Sequence, residues 1–229
     1  MSATYVDEFT RQFDLNPQTS ALLVIDMQNA TGNPEYGLGA LLASQGRLDS
    51  AAYRFERIKN TIVPNTQKLL AAFRAQGAPV IYVTYGAELP DCSDVPEHIR
   101  KLVIATNNKA GEKEHDIVDE LKPQAGEPVL NKVTMGAFGS TGIETLLRAK
   151  GISEVVCTGV STNNCVGMTA MEASDRGFGV VLVDDATGTC SDEQQDAFIT
   201  MFLRLWGRVM PTDAVITELS GNARQASAG

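Results

Sequence analysis

Basic side chains are scarce in this 229-residue chain, where 19 Lys and Arg stand against 28 Asp and Glu for a formal net charge of -9. Binding along a nucleic-acid backbone depends on clustered cations, so no nucleic acid is expected as a partner. Histidine is scarcer still. His98 and His115 lie in polar surroundings, with no second imidazole or carboxylate at metal-ligand spacing, so neither a metal nor a cofactor is expected. The four cysteines, Cys92, Cys157, Cys165 and Cys190, show no CxxC spacing and are too sparse for a disulfide scaffold; free thiols are the expectation. Long apolar runs are missing too. None approaches the roughly 18 residues that span a bilayer, and the opening MSATYVDEFTRQ lacks the basic and then apolar layout of a signal peptide. No membrane partner and a cytoplasmic location are expected.

What the chain does have is enough apolar residue, 43%, to bury a full core at this length. One compact domain spanning 1–229 is expected, with 1–18 an N-terminal extension and 220–229 a small, polar, frayed tail. Four short runs rich in Val and Ile, at 21–25, 80–84, 154–158 and 180–183, read as strands buried on both faces. Helical periodicity lies between them at 58–75, 141–150, 165–176 and 191–206, and Gly77, Gly151 and Gly177 stand where a left-handed C-cap suits a residue without Cβ. This alternation predicts an α/β fold with a mostly parallel sheet covered by helices. The segment 128–132 reads as a further strand, and 208–210 or the Val215 region as an edge strand. Two excursions, 30–55 and 87–113, break the alternation and read as lids, binding loops or oligomer contacts.

In open α/β sheets, ligands sit outside the carboxyl ends of the strands, so polar residues that close strands are the first candidates. Asp26 closes ALLVID, Lys132 closes PVLNK, Tyr85 follows VIYVT, the loop 159–164 follows EVVCT, and Asp184 and Asp185 close VVLVDD. An Asp after a strand also serves to cap a helix or fix a turn. Cys165 is the sharpest signal. TGVSTNNCVGMTAMEA runs from a strand through a polar turn into a helix that Cys165 is expected to begin, where the helix dipole and unpaired N–H groups favour thiolate. The competing reading is a small buried cysteine, which Cys157 inside its strand fits well. With no histidine in these segments, Asp26 and Lys132 are the partners for proton handling.

Four motifs in order, ALLVIDMQN with Asp26, VLNKVTMGAFGSTGIETLLRAKGI with Lys132, VVCTGVSTNNCVGMTAMEASDRGF with Cys165, and VVLVDDATGT, resemble the isochorismatase-like cysteine hydrolases over residues 20–213. That resemblance implies a three-layer α/β/α fold with a six-stranded sheet, an Asp26–Lys132–Cys165 triad, and homo-oligomers, either dimers or tetramers. It also implies a cis peptide between Val160 and Ser161, with the Ser161 and Cys165 N–H groups forming an oxyanion hole. Departures stand at Gly136, Ala137 and Phe138, in place of the family's SAF, and at Ala30 and Thr31 after MQN. The Asp and two His that hold metal in the nicotinamidase branch have no equivalent here. Cys165 itself points away from isochorismatases proper and toward C–N cleavage. The stretch EHDIVDELKPQAGEPVLNK is similar to the ureide-handling branch, the biuret, ureidoacrylate and N-carbamoylsarcosine hydrolases.

The expected activity is therefore attack by Cys165 on a small amide, carbamoyl or ureide substrate through a covalent thioester or thiocarbamate. Phe138, Asn163, Tyr85 and Gln28 are the expected substrate contacts, Phe138 foremost, with the excursion 36–54 as further pocket wall. Two rival readings remain. A flavodoxin-like or dinucleotide-binding protein shares the coarse strand pattern but needs a phosphate-cradling glycine loop that the first strand does not lead into. A non-catalytic member with a binding or assembly role differs in its thiol, since an activated Cys165 should alkylate far faster than Cys157.

Overall fold

The structure is a computed structural model and describes residues 7–226. Six strands form one sheet: β1 (Ser20–Ile25), β2 (Val80–Tyr85), β3 (Val129–Lys132), β4 (Glu154–Val160), β5 (Gly179–Gly188) and β6 (Arg208–Met210). Their order is β3-β2-β1-β4-β5-β6, with every neighbouring pair parallel. Parallel strands covered on both faces need apolar residues at successive positions, which the Val and Ile runs supply.

Alternate residues of β1, β2, β4 and β5 enter two separate cores. Leu22, Val24, Tyr82, Val156 and Val181 face the helices Val63–Ala75 and Thr212–Ala226, meeting Leu69, Leu70, Phe73, Val215 and Leu219. On the other face Ala21, Leu23, Ile25, Val83, Val155 and Leu182 meet Ile143, Leu147, Ala170, Ala173, Phe198 and Phe202. Those residues come from the helices Ile143–Ala149, Gly167–Asp175 and Asp192–Phe202. Burial of each such Val, Leu, Ile or Phe contributes about 1.5–3 kcal/mol, so the three layers are held mainly by these two apolar interfaces.

Strand order also fixes where a ligand can sit. The chain lays β1, β2 and β3 outward in one direction, then returns to the far side of β1 for β4, β5 and β6. This reversal opens a crevice at the carboxyl ends of β1 and β4.

Several boundaries differ from the sequence expectation. Val215 lies in a helix, not a strand, because Val215 and Leu219 are spaced at i,i+4 and both are fully buried. That helix runs to Ala226, so the tail expected from 220 is helical over most of its length; 227–229 and the first six residues of the N-terminal extension lie outside the described residues. β5 runs on to Gly188 through a register shift, which leaves Asp184 and Asp185 inside the strand instead of at its end. Gly77, Gly151 and Gly177 adopt the left-handed conformation at helix ends. The excursions are not structureless: the first holds the helix Gly37–Ser44, the second the helix Glu97–Ala105, and the two helices pack on each other.

Candidate active site

Asp26 follows β1 directly, with a left-handed backbone at φ 53°. Its N–H donates to Val83 O at 2.8 Å, which keeps the residue tied to β2 while its side chain turns inward. Lys132 ends β3, two strands away, and pairs in register with Tyr85 of β2. The lysine crosses the Tyr85 ring, with Nζ 4.9 Å from the ring centroid, and donates to Asp26 Oδ2 at 2.9 Å. Both side chains are almost completely buried, at 0% and 2% exposure. Asp26 Oδ1 is buried and has no hydrogen-bond partner.

Cys165 approaches from the other side of β1. It lies in the π-helical turn Thr162–Val166 that joins β4 to Gly167–Asp175, and Asn164, at φ -128° and ψ -106°, breaks the helical path just before it. The peptide between Val160 and Ser161 at the head of this turn is cis. Sγ is 3.3 Å from the Met135 thioether, a weak acceptor.

Burial raises the Asp26 carboxyl above its ordinary value, against the pull of Lys132 and, more weakly, Arg54. Burial disfavours the Lys132 ammonium, yet the Asp26 carboxylate and the Cys165 sulfur outweigh it and hold its pKa above the ordinary lysine value. The Cys165 thiol is pushed up to about 12, first by burial and then by the Asp26 charge, with Lys132 opposing. A low-pKa thiolate at a helix start was the expectation. Desolvation overrides it here, because the broken turn sets Cys165 ahead of the helix and inside the apolar core.

Asp26 and Cys165 line one cavity of about 220 Å³, and Lys132, outside its lining, reaches it only through its bond to Asp26. Ser161 and Asn164 of the turn complete its polar rim. The first excursion adds Thr31, Leu38 and Arg54, and the second adds Ile99 and Leu102. Among the described residues no group of three or more His, Cys, Asp or Glu side chains is placed to hold a metal ion.

A family model described as the isochorismatase domain matches residues 20–214. The chain belongs to the isochorismatase family. A ureidoacrylate amidohydrolase, RutB, from Serratia proteamaculans is 31% identical, covering 92% of this chain and 87% of its own. The RutB of Pseudomonas savastanoi pv. phaseolicola is 32% identical over 90% of this chain and 86% of its own. Among solved structures, a cysteine hydrolase from Pseudomonas syringae pv. phaseolicola 1448A shares the fold at TM-score 0.76 and 23% identity, covering 92% of this chain and 97% of that one. The N-carbamoylsarcosine amidase of Thermoplasma acidophilum aligns at TM-score 0.63 and 28% identity, covering 85% of this chain and 97% of its own. With such relatives along nearly its whole length, this member of the isochorismatase family is an enzyme, a hydrolase of carbon–nitrogen bonds other than peptide bonds.

Of the expected substrate contacts, the fold of this isochorismatase-family chain brings only Tyr85 to the cavity. Burial raises the Tyr85 phenol well above its ordinary value, with the Cys165 and Asp26 charges adding to the effect, so it stays neutral. Phe138 is turned into the core, 5.9 Å from the Phe178 ring and 5.1 Å beneath the Arg176 guanidinium. Gln28 is fully buried and structural: it accepts from Tyr85 N and donates to Tyr85 O and His115 O. Asn163 accepts from the Thr189 hydroxyl and donates to Gln194, while its neighbour Asn164 lines the cavity instead. Asp184 accepts from Gln195, and Asp185 caps the helix Thr212–Ala226 through Thr212 N and Oγ1.

Sequence reasoning missed Arg54 as a single residue. Its Nε donates to Thr31 O at 2.9 Å and its Nη1 to Ser161 Oγ at 2.8 Å, and the side chain is only 9% exposed. An arginine in a helical stretch reads as a solvated face, and nothing local in the sequence marks this one.

Proposed function

We propose that this chain is a cysteine-dependent amidohydrolase that cleaves a small amide, carbamoyl or ureide substrate through a covalent thioester or thiocarbamate, with Asp26, Lys132 and Cys165 as its catalytic set. The reading rests above all on the ionisation pattern around Asp26. One carboxylate oxygen is fixed by Lys132, and the other is buried, unpartnered and in the same cavity as the Cys165 thiol.

As Cys165 Sγ bonds to the substrate carbonyl carbon, its proton passes to Asp26 and the carbonyl oxygen becomes an oxyanion. The backbone N–H groups of Ser161 and Cys165 hold that oxyanion. Asp26 then gives the proton to the departing nitrogen, the C–N bond breaks, and ammonia or an amine leaves. Water attacks the thioester or thiocarbamate carbon and gives one proton to Asp26; the C–S bond then breaks, Asp26 returns that proton to Sγ, and the carboxylic or carbamic acid leaves.

Moving the proton from Cys165 to Asp26 leaves the net charge of the three groups unchanged. The cost of burial is therefore similar on both sides of the transfer, and a resting thiol with a pKa near 12 still serves as nucleophile. Lys132 remains protonated and attracts whichever neighbour carries the negative charge.

The ureidoacrylate amidohydrolases and the N-carbamoylsarcosine amidase among the similar proteins support a ureide or carbamoyl substrate over a simple peptide. Four free cysteines fit a reducing cytoplasm, and we place the enzyme there as a homo-oligomer, dimer or tetramer, with the whole chain as one catalytic domain.

An ammonia-release screen across small amides, biuret, carbamoyl amino acids and ureidoacrylate, with Cys165→Ala as blank, tests the activity. The variant should keep its fold by circular dichroism and lose at least about a thousandfold in kcat. Undiminished ammonia release by Cys165→Ala would remove the nucleophile assignment.

A further inference from the structure

We propose that Met135 holds the Cys165 thiol in a resting position, with its S–H directed at the Met135 thioether instead of at Asp26. Met135 is then a positioning residue that restrains the nucleophile until the thiol turns. This inference rests on the amidohydrolase reading and deepens it.

One proton has two acceptors in range. Cys165 Sγ lies 3.3 Å from Met135 Sδ, with Sγ as the donor. Asp26 is near as well: burial raises its carboxyl, and Cys165 is among the groups that draw it back down. Asp26 lines the same cavity as Cys165, yet its Oδ1 is buried without a hydrogen-bond partner. A thioether is a weak acceptor and a carboxylate a strong one. A thiol free to choose would settle on the carboxylate, so its place at Met135 is set by the surrounding chain.

The segment that follows β3 does the setting. Lys132 ends the strand and reaches Asp26, while Met135, further along the same segment, reaches Cys165. The chain is fixed on both sides of Met135. Before it, Val133 N donates to Ser140 Oγ at 3.2 Å, and Thr134 Oγ1 donates to Gly136 O at 2.9 Å. After it, Ala137 N donates to Thr169 Oγ1 and Phe138 N to Glu172 Oε2, which tie the loop to the helix Gly167–Asp175 just beyond Cys165. Met135 itself is half-buried and packs against the apolar cluster that includes Cys165. These ties keep the thioether against Sγ.

An S–H···S contact is a weak hydrogen bond, and a weak hold suits a nucleophile. It keeps the thiol proton off Asp26 in the empty site and gives way readily when Sγ turns toward a carbonyl. Transfer of the proton to Asp26 follows that turn.

Met135→Leu tests the proposal, because it keeps the size and apolar character of the side chain and removes the sulfur. In a Cys190→Ser background, which removes the exposed cysteine, iodoacetamide labelling of Cys165 is followed by mass spectrometry at pH 7. Its rate should rise about threefold in Met135→Leu, as expected for loss of one weak hydrogen bond. Infrared difference spectra against Cys165→Ala isolate the Cys165 S–H stretch. That band should move to lower frequency in Met135→Leu, since the thiol then donates to the Asp26 carboxylate. Where the ammonia screen finds a substrate, kcat/KM should rise by a similar factor. Loss of packing alone would lower activity and leave the band in place. Unchanged or slower labelling, an unmoved band, or a kcat/KM that does not rise overturns the proposal. Should Met135→Leu fail to fold, the unaltered enzyme still decides: its Cys165 band should match that of a simple thiol dissolved in dimethyl sulfide. A lower, broader band, as for a thiol on a carboxylate, overturns the proposal. A failure of the amidohydrolase reading looks different: no amide or ureide is hydrolysed above the Cys165→Ala blank, while labelling and the S–H band respond as stated.

Discussion

Asp26 carries three demands at one position: a left-handed backbone, a negative charge and near-complete burial. Asn tolerates the backbone and the shape, so Asp26→Asn isolates the charge. It strands the Lys132 ammonium in the interior, which costs about 3–5 kcal/mol for a broken buried pair. The expected result is a lowered melting temperature together with loss of ammonia release; an inactive variant that melts with the wild type would contradict the buried pair. The thiol gives a second test. With a pKa near 12, Cys165 is neutral at pH 7, and its thiolate fraction grows tenfold for each pH unit below that value. In a Cys190→Ser background, which removes the exposed cysteine, iodoacetamide labelling of Cys165 should climb steadily from pH 7 to 10. A plateau below pH 8 would show a thiolate already formed. The residues that the sequence made legible are those that close strands, since strand ends deliver side chains to a known edge of the sheet. Phe138, Gln28 and Asn163 were not legible in this way, because each faces a neighbour that only the folded chain supplies: Phe178, His115 and Thr189.

Among the elements, buried parallel strands announce themselves through Val- and Ile-rich runs, which is why β1, β2, β4 and the start of β5 lie close to where periodicity puts them. The edge strand β6 spans three residues and competed with the Val215 region, whose i,i+4 spacing belongs to a helix. Helix ends were harder to read. Cys165 was expected at a helix start, and the non-helical Asn164 moves that start beyond it. Gly159 of β4 controls how closely β4 meets β1 beside the site. Its φ is +111°, and a Cβ there would lie 1.9 Å from Ile25 O, a backbone atom that cannot yield without moving Asp26. Gly159→Ala should therefore destabilise by about 3 kcal/mol or more. Urea unfolding should show a lower midpoint at an unchanged slope, and a wild-type midpoint would contradict this close approach.

Taken as one object, the molecule divides its labour between the sheet, which holds Asp26, Lys132 and the turn with Cys165, and the two excursions, which wall the cavity. Their lengths were visible in the sequence; their helices and their inward faces were not, because Gly37–Ser44 has little contrast between its faces and Glu97–Ala105, although amphipathic, spans only nine residues. Leu102 is 40% exposed and contributes little to the core. Leu102→Ala should raise KM severalfold while changing stability by no more than about 0.5 kcal/mol, as measured by kinetics and thermal melting side by side. A fall in kcat with KM unchanged would place Leu102 outside the binding wall. No helix among the described residues is long and apolar enough to cross a membrane. The mutual packing of Gly37–Ser44 and Glu97–Ala105 bears on how such an enzyme could be re-engineered. A chimera that imports one excursion from a relative mismatches a shared seam, so a new selectivity has to be transplanted as a pair.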